Sequence, residues 1–156
     1  MSDKIITYEN KILRKKSEIV KNIDGKIKNI IERMFDTMYQ NNGIGLAAIQ
    51  IGIPKKIIII DTTLPSLDLK GIKPVKLALI NPEIVEFSQR IELGEEGCLS
   101  VPNIRGNVYR NFFVVLKGIT LEEREEYFKL YDLNARVAQH EIDHTNGILF
   151  IDKIEK

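Results

Sequence analysis

Two histidines and a glutamate stand close together in the segment Gln139–His144. His140 and His144 are four residues apart, so on a helix both imidazoles would lie on the same face, where they can bind one metal ion. Glu141 directly follows the first histidine, and in H-E-x-x-H sites such a glutamate accepts a proton from the water on the metal. The spacing therefore predicts a metal site with Glu141 as its general base.

Two histidines and one water leave a tetrahedral metal site one protein ligand short. Cys98, the only cysteine of the chain, lies in a turn-like stretch that follows a predicted strand. The alternative ligands are acidic residues: Glu95, Glu96, Asp152 and Glu155. The sequence favours Cys98, because we expect the end of the chain, which carries two of these acids, to be frayed.

The glycine-rich stretch Gly43–Gln50 is the third candidate segment, and it follows a predicted helix. A dinucleotide-binding loop requires a strand before its glycines and a helix after them, and this stretch has the opposite order. A run of small residues followed by one amide side chain suits a loop whose backbone a substrate can approach closely. We therefore expect this stretch to form one edge of a binding site.

The elements that must position these segments predict an α+β fold with a helix at each end. Apolar residues recur every three or four positions from Ile27 to Met38, so we expect an amphipathic helix with Asp24 as its N-cap, ending at Asn41. Apolar and β-branched runs predict strands over residues 56–61, 75–80, 83–88, 90–93 and 111–117, with a break at Asn81 and Pro82.

The segment 120–131 is ambiguous, because it opens like a capped helix but ends in an alternating, aromatic-rich run. We expect the hairpin that this run favours. Residues 132–146 then form a final helix with Asp132 as its N-cap. One face of that helix carries Leu133, Val137, His140 and His144.

Composition bounds the class of protein. The chain has 156 residues, of which 44% are hydrophobic and 29% charged, as expected for one folded domain over residues 1–156. The net charge of +1 argues against a protein that binds nucleic acid or a membrane surface mainly through bulk charge. A single cysteine forms no internal disulfide, and no secretory signal or membrane-spanning apolar run is present, so we expect a cytoplasmic protein.

The three candidate segments resemble, in this order, the three signature motifs of the peptide deformylases. The motifs are G-x-G-L-A-A-x-Q over residues 43–50, E-G-C-L-S over 96–100 and Q-H-E-x-D-H over 139–144. The resemblance covers nearly the whole chain, from about Ile12 to Phe150. It implies mixed or antiparallel strands packed around a central C-terminal helix that carries H-E-x-x-H, with the amphipathic helix near the N-terminus.

The resemblance implies that Cys98, His140 and His144 hold one Fe²⁺ ion, which Zn²⁺, Ni²⁺ or Co²⁺ can replace. One thiolate and two imidazoles would by themselves fit iron or zinc equally. The resemblance also makes Glu141 the catalytic acid and base. It assigns two donors to the oxyanion of the reaction, Gln50 and the backbone N–H of Leu99.

The implied reaction is hydrolysis of the N-formyl group from the N-terminal methionine of newly synthesised polypeptides, with release of formate. N-formylmethionyl nascent peptides are therefore the expected partners, and no membrane or specific nucleic acid is expected. We expect six residues to bind the substrate: Gly43, Ile44, Gly45, Arg105, Leu133 and Val137. Ile44, Leu133 and Val137 would enclose the methionine side chain.

Two further expectations concern charged residues. Glu96 and Arg110 either form an ion pair behind the Cys98 turn or are two separate solvated charges.

Some bacterial deformylases contact the ribosome through a long C-terminal helix, which we do not expect here, because twelve residues follow His144. The basic cluster Lys11–Lys16 is the alternative candidate for such a contact.

Two other functions fit part of the pattern. A zinc peptidase would use the same H-E-x-x-H motif without Cys98. A non-catalytic metal-binding or ribosome-associated protein would use neither the proton transfer by Glu141 nor the donors to the oxyanion. A thiol ligand distinguishes a deformylase from the peptidase, and formate release distinguishes it from the non-catalytic protein.

Overall fold

The computed structural model describes residues 2–156, which form two α-helices, seven β-strands and three short 3₁₀ turns. The helices are α1 (Gly25–Gln40) and α2 (Asp132–Thr145). The strands are β1 (Gly45–Ala47), β2 (Ile57–Asp61), β3 (Lys76–Phe87), β4 (Ile91–Cys98), β5 (Val101–Asn111), β6 (Phe113–Ile119) and β7 (Glu125–Tyr131). The 3₁₀ turns cover Lys11–Arg14, Ala48–Ile51 and Phe150–Asp152.

Five strands form one sheet in the order β1-β2-β3-β6-β7, and every neighbouring pair is antiparallel. β4 and β5 pair with each other in a separate antiparallel hairpin. The predicted α+β fold is confirmed, with antiparallel pairing. The pairing of β6 with β7 also confirms the hairpin, rather than the helix, at the end of segment 120–131. Neither helix is long and apolar enough to cross a membrane.

β2 lies in the middle of the hydrophobic core, and all five of its residues are buried. Its isoleucines alternate between the two faces of the sheet. Ile58 and Ile60 belong to the same buried cluster as the apolar residues of α2, whereas Ile57 and Ile59 belong to that of α1. The sheet therefore lies between the two helices, which explains why β2 is a continuous apolar run rather than an alternating one.

The start and the buried face of α1 are as predicted. The side chain of Asp24 accepts hydrogen bonds from the backbone N–H groups of Lys26 (3.0 Å) and Ile27 (3.1 Å). This satisfies two of the donors that a helix leaves open at its first turn. The apolar stripe from Ile27 to Met38 is buried against the sheet.

The predicted break at Asn81 and Pro82 is wrong, because β3 runs through both residues. The register between β3 and β6 shifts between Ile80 and Glu83, as a β-bulge requires. Asn81 has a φ of 53°, and its side-chain amide both donates to and accepts from the backbone of Val20. The irregular backbone is thus stabilised inside a continuous strand.

The hairpin of β4 and β5 is much longer than the short strand expected over residues 90–93. β4 continues to Cys98, and β5, where no strand was expected, leads the chain back to Asn111. β6 accordingly begins at Phe113, two residues later than expected. Cys98 therefore lies at the end of a strand rather than in an extended turn.

The predicted capping of α2 by Asp132 is wrong. The N-cap is Tyr131, and no side chain accepts a hydrogen bond from the first turn. Asp132 is the first helical residue, with a φ of 49°, and its N–H donates to the carbonyl of Phe112 (2.8 Å). The chain passes directly from β7 into α2, so a backbone contact with the neighbouring segment orients the helix.

Replacing Asp24 by Ala should lower the free energy of unfolding by about 1 kcal/mol, because the first turn of α1 loses its cap. Denaturant unfolding followed by circular dichroism measures this. Asp24→Asn is the matched control, since asparagine caps a helix about as well as aspartate, and its unfolding midpoint should stay close to that of the unmodified protein. Equal loss in both variants would contradict the capping role.

Candidate metal centre and active site

The ligand atoms of Cys98, His140 and His144 all lie within 4.8 Å of one another. Cys98 is the last residue of β4, and the two histidines are one turn apart on α2. The Sγ atom of Cys98 is 3.3 Å from Nε2 of His144. In residues 2–156 no other three such side chains meet in this way. The structure thus brings together the three residues predicted as ligands.

The chemistry of this donor set fits a divalent transition metal. Burial, together with the charges of His140 and Arg110, holds the pKa of His144 well below its ordinary value. Its imidazole is therefore neutral, as a metal ligand must be. Nε2 of His144 faces the thiol of Cys98, and the buried Oε1 of the neighbouring Glu141 has no hydrogen-bond partner among the described residues. These residues are suited to hold a metal ion.

The surroundings of His140 favour a positive charge. Burial alone would lower the pKa of this histidine, but hydrogen bonds with Cys98 and Glu96 and the nearby Glu141 raise it to about 10. A cation of either kind, a proton or a metal ion, is thus stabilised by the thiol and the two carboxyl groups.

The carboxylate of Glu96 is the centre of a buried charge network. Its Oε1 is 2.9 Å from Nδ1 of His140 and 3.0 Å from Nη2 of Arg110. Its Oε2 accepts from Nε of Arg110 and from Nη1 of Arg136, both at 2.8 Å. Burial would raise the pKa of Glu96, but the hydrogen bonds from Arg110 and His140 hold it well below its usual range. Arg110 also pairs with Asp143 (2.7 Å).

The ion pair between Glu96 and Arg110 is therefore present, and the alternative of two solvated charges is wrong, since both side chains are about 5% exposed or less. The bond from Glu96 to Nδ1 also leaves Nε2 as the ring nitrogen of His140 that is available to a metal. Glu96 thus bonds to a predicted ligand and does not itself join the group of ligand atoms.

The other acidic candidates for the third ligand do not join the cluster either. Glu95 accepts a hydrogen bond from Arg105 (2.9 Å), and both side chains are exposed. Asp152 forms a salt bridge with Arg14 (2.5 Å). Glu155 lies outside the group of ligand atoms.

Glu141 is buried next to the predicted ligands. Burial raises its pKa to about 7; the charge of His140 opposes this shift, and that of Glu96 adds to it. A Cβ atom at Gly45 would lie 2.5 Å from Oε2 of Glu141 and 2.7 Å from Cγ1 of Val137. The backbone of β1 thus approaches this carboxylate so closely that only glycine fits.

Gln50 is buried and its amide is held in one orientation. Its Oε1 accepts from the backbone N–H of Ala47 (2.9 Å), and its Nε2 donates to Oγ of Ser100 (3.0 Å). Nε2 also lies 3.6 Å from Sγ of Cys98. The amide N–H₂ group therefore faces the predicted ligands, and Leu99 lies on the same side.

A cavity of about 380 Å³ opens beside these residues. All six predicted substrate-binding residues line it: Gly43, Ile44, Gly45, Arg105, Leu133 and Val137. The cavity is also lined by Glu141, Gln50, Leu99 and two of the predicted ligands, Cys98 and His140. The structure thus joins the glycine-rich stretch, the end of β4 with Cys98 and the helix α2 in one pocket.

Sequence reasoning missed some residues of this pocket. Asn42 and Arg136 also line it, and so does Glu95, which the sequence suggested only as an alternative metal ligand. Arg136 lies four residues before His140, so the same helical spacing that relates the two histidines places it on their face. The four-residue spacing could therefore have identified Arg136 from the sequence.

The segment that follows α2 is packed against the site, so the expectation of a frayed terminus is wrong. The ring of Phe150 is buried and stacks on that of His140, with centroids 6.0 Å apart. The N–H of Glu155 donates to the carbonyl of Asn107 on β5 (2.7 Å). This segment supports the first histidine from behind.

Comparisons with known proteins agree with this geometry. The sequence model of the polypeptide deformylase family matches residues 2–156. The chain is 43% identical over 155 residues to the peptide deformylase of Brachyspira hyodysenteriae, covering 99% of this chain and 82% of that protein. It is 48% identical over 149 residues to that of Syntrophomonas wolfei, covering 96% and 91%.

A solved structure is similar over the whole fold. The class I type b peptide deformylase from Acinetobacter baumannii, with Met-Ala-Ser bound, has a TM-score of 0.89 and 34% identity, and 99% of each chain is covered. These matches decide against the peptidase and the non-catalytic protein that the sequence left open. The chain belongs to the polypeptide deformylase family.

Proposed function

We propose that Cys98, His140 and His144 hold the metal of this enzyme and that Glu141 transfers the proton. The enzyme is a metal-dependent hydrolase that deformylates nascent polypeptides. The main support for this assignment is that a thiol, two imidazoles and a buried carboxylate lie close together beside one cavity.

The bound metal would supply Lewis acidity, which brings the pKa of a water molecule close to neutrality. Glu141 accepts the proton of the attacking water at its unpartnered Oε1 and later returns it to the leaving amine. Gln50 Nε2 and the N–H of Leu99 donate to the oxyanion that forms at the formyl carbon. Because the contacts with Ala47 and Ser100 already orient the amide of Gln50, little reorganisation is needed during the reaction.

The cavity would bind the N-terminal methionine of the substrate. Ile44, Leu133 and Val137 supply apolar surface, which suits a thioether side chain. The peptide bound by the Acinetobacter enzyme, Met-Ala-Ser, begins with the same residue. Arg105 and Gly97 lie at the same cavity, where they would meet the peptide beyond the methionine.

We propose Fe²⁺ as the metal in the cell, with Zn²⁺, Ni²⁺ or Co²⁺ as replacements. The donor set suits both iron and zinc, and the resemblance to the family favours iron. A thiol ligand must stay reduced, which fits the cytoplasm, where thiols are kept reduced.

Residues 1–156 are proposed to act as one domain, in keeping with the family match over nearly the whole chain. A ribosome contact through Lys11, Lys15 and Lys16, which are exposed, stays a prediction.

Protein purified without oxygen should contain about one iron per chain, and Cys98→Ala should contain none, because two imidazoles alone bind the metal too weakly to retain it. Elemental analysis of both proteins measures this, with circular dichroism as the check on folding. Full metal retention by Cys98→Ala would contradict the ligand set. Zinc in the unmodified protein would contradict only the choice of iron.

Glu141→Gln should lower kcat for formate release from formyl-Met-Ala-Ser by about 10²–10⁴-fold, because the amide cannot accept the proton. The metal content should be unchanged, since Glu141 is not a proposed ligand. The matched control is Glu83→Gln, which changes an exposed glutamate on β3 and should keep full activity. A Glu141→Gln enzyme that keeps both its metal and its kcat would refute the role of general base.

Val137→Phe should raise KM for formyl-Met-Ala-Ser by about tenfold or more, because the larger ring fills the space of the methionine side chain. The same change at Val85, which is 44% exposed on β3, is the control and should leave KM unchanged. Steady-state kinetics with formyl-Met and formyl-Ala peptides distinguish a smaller pocket from general damage. An unchanged KM in Val137→Phe would exclude this residue from the methionine pocket.

A further inference from the structure

The hairpin that carries Cys98 has no backbone pairing with the main sheet. β4 and β5 pair with each other, and a further bridge joins Val108 on β5 to Ile154 near the end of the chain, whereas the two histidine ligands lie on α2. The distance from the thiol to the imidazoles therefore depends on how the hairpin is held against the helix. We infer that Arg136 is a positioning residue that sets this distance; the inference rests on the metal ligands proposed above.

Arg136 connects α2 to both strands of the hairpin. Its Nη2 donates to the carbonyl of Glu92 on β4 (2.8 Å), and its Nη1 donates to the carbonyl of Val108 on β5 (2.8 Å). Nη1 also donates to Oε2 of Glu96 on β4 (2.8 Å). One side chain thus binds the hairpin at three residues on its two strands, the nearest of which, Glu96, lies two positions before Cys98.

The backbone of β4 is shaped to receive this guanidinium. A Cβ atom at Gly94 would lie 2.8 Å from both Cζ and Nη2 of Arg136 and 3.0 Å from its Nε. The backbone of Gly94 does not have a positive φ, so the close approach of Arg136, rather than a left-handed conformation, accounts for a glycine here. Glycine inside a strand often marks such a close contact.

Arg136 also completes the hydrogen bonding of the carboxylate that orients His140. Glu96 divides its two oxygens among Arg110, Arg136 and His140. Without Arg136, Oε2 of Glu96 keeps only the bond from Arg110. Groups that orient a metal ligand in this way typically change metal affinity about 10–100-fold when they are removed.

The hairpin has other contacts with α2, which lie at its base. The amide of Gln139 both donates to and accepts from the backbone of Asn111, at 2.9 and 3.0 Å. Arg110 pairs with Asp143 on the helix (2.7 Å). These contacts keep the hairpin attached when Arg136 is changed, so the expected result is a folded protein with an altered metal site.

The test uses the full chain loaded with Co²⁺, whose absorption spectrum reports the thiolate ligand and the geometry of the site. We compare Arg136→Met, Arg136→Lys and Gly94→Ala, the last of which displaces the guanidinium without removing it. Each should bind Co²⁺ about 10–100-fold more weakly, in competition with a chromogenic chelator, and should show an altered thiolate–cobalt band. Lysine should fail to restore the site, because an ammonium group lacks the planar fork that reaches three acceptors.

Arg33→Met is the matched control, since Arg33 pairs with Asp3 beside α1 (2.9 Å), away from the hairpin, and its loss should leave affinity and spectrum unchanged. Folded Arg136→Lys and Gly94→Ala proteins with unmodified affinity and spectrum would overturn the inference, whether or not Arg136→Met folds. Cys98→Ala in the same assay distinguishes the two failures. If Cys98→Ala binds Co²⁺ as tightly as the unmodified protein, or if the unmodified protein shows no thiolate–cobalt band, the proposed ligand set is wrong. If Cys98→Ala alone loses the affinity and the band, only the role of Arg136 is wrong.

Discussion

The active site depends on the pairing of one buried carboxylate, that of Glu96. An ionised carboxylate inside a protein is unfavourable by several kcal/mol unless its oxygens are hydrogen-bonded to cationic partners. Here Arg110, Arg136 and His140 supply these partners. Because removal of one partner from such a network typically costs about 3–5 kcal/mol, the three segments that provide them are held in one arrangement. That arrangement places the strand end with Cys98 next to the helix.

The second constraint is the burial of α2 against the sheet. Its apolar face packs on Ile58 and Ile60, while α1 covers the opposite face of the same strand. The helix can therefore carry His140, Glu141 and His144 in an environment with little water. Burial of these groups lowers the pKa of one histidine and raises that of the glutamate. The packing that stabilises the fold thus also sets the chemistry of the site.

The sequence predicts those parts of the site that depend on local spacing. Two histidines four residues apart predict a metal-binding face on α2, and the same spacing places Val137 near Glu141. Contacts between residues far apart in sequence cannot be predicted in this way, because spacing does not show which of their side chains come together. The pair of Glu96 and Arg110 was undecided for this reason, since 14 residues separate the two partners.

The hairpin of β4 and β5 is longer than the sequence predicts, and its glycines explain the difference. Gly94, Gly97 and Gly106 interrupt it, and glycines usually weaken a strand prediction. In the structure each of them has a side chain packed directly on its backbone: Arg136 on Gly94, Arg105 on Gly97 and Ile154 on Gly106.

Two of these contacts link the hairpin to the helix and to the end of the chain, and the third joins its two strands beside the cavity. Arg136 holds β4 to α2, Arg105 lines the cavity, and Ile154 belongs to the segment whose Phe150 supports His140. In sequence these glycines predict turns, whereas in the fold they admit the side chains that position the site. A strand rich in glycine beside a metal-ligand motif is therefore better explained by close packing than by disorder of the hairpin.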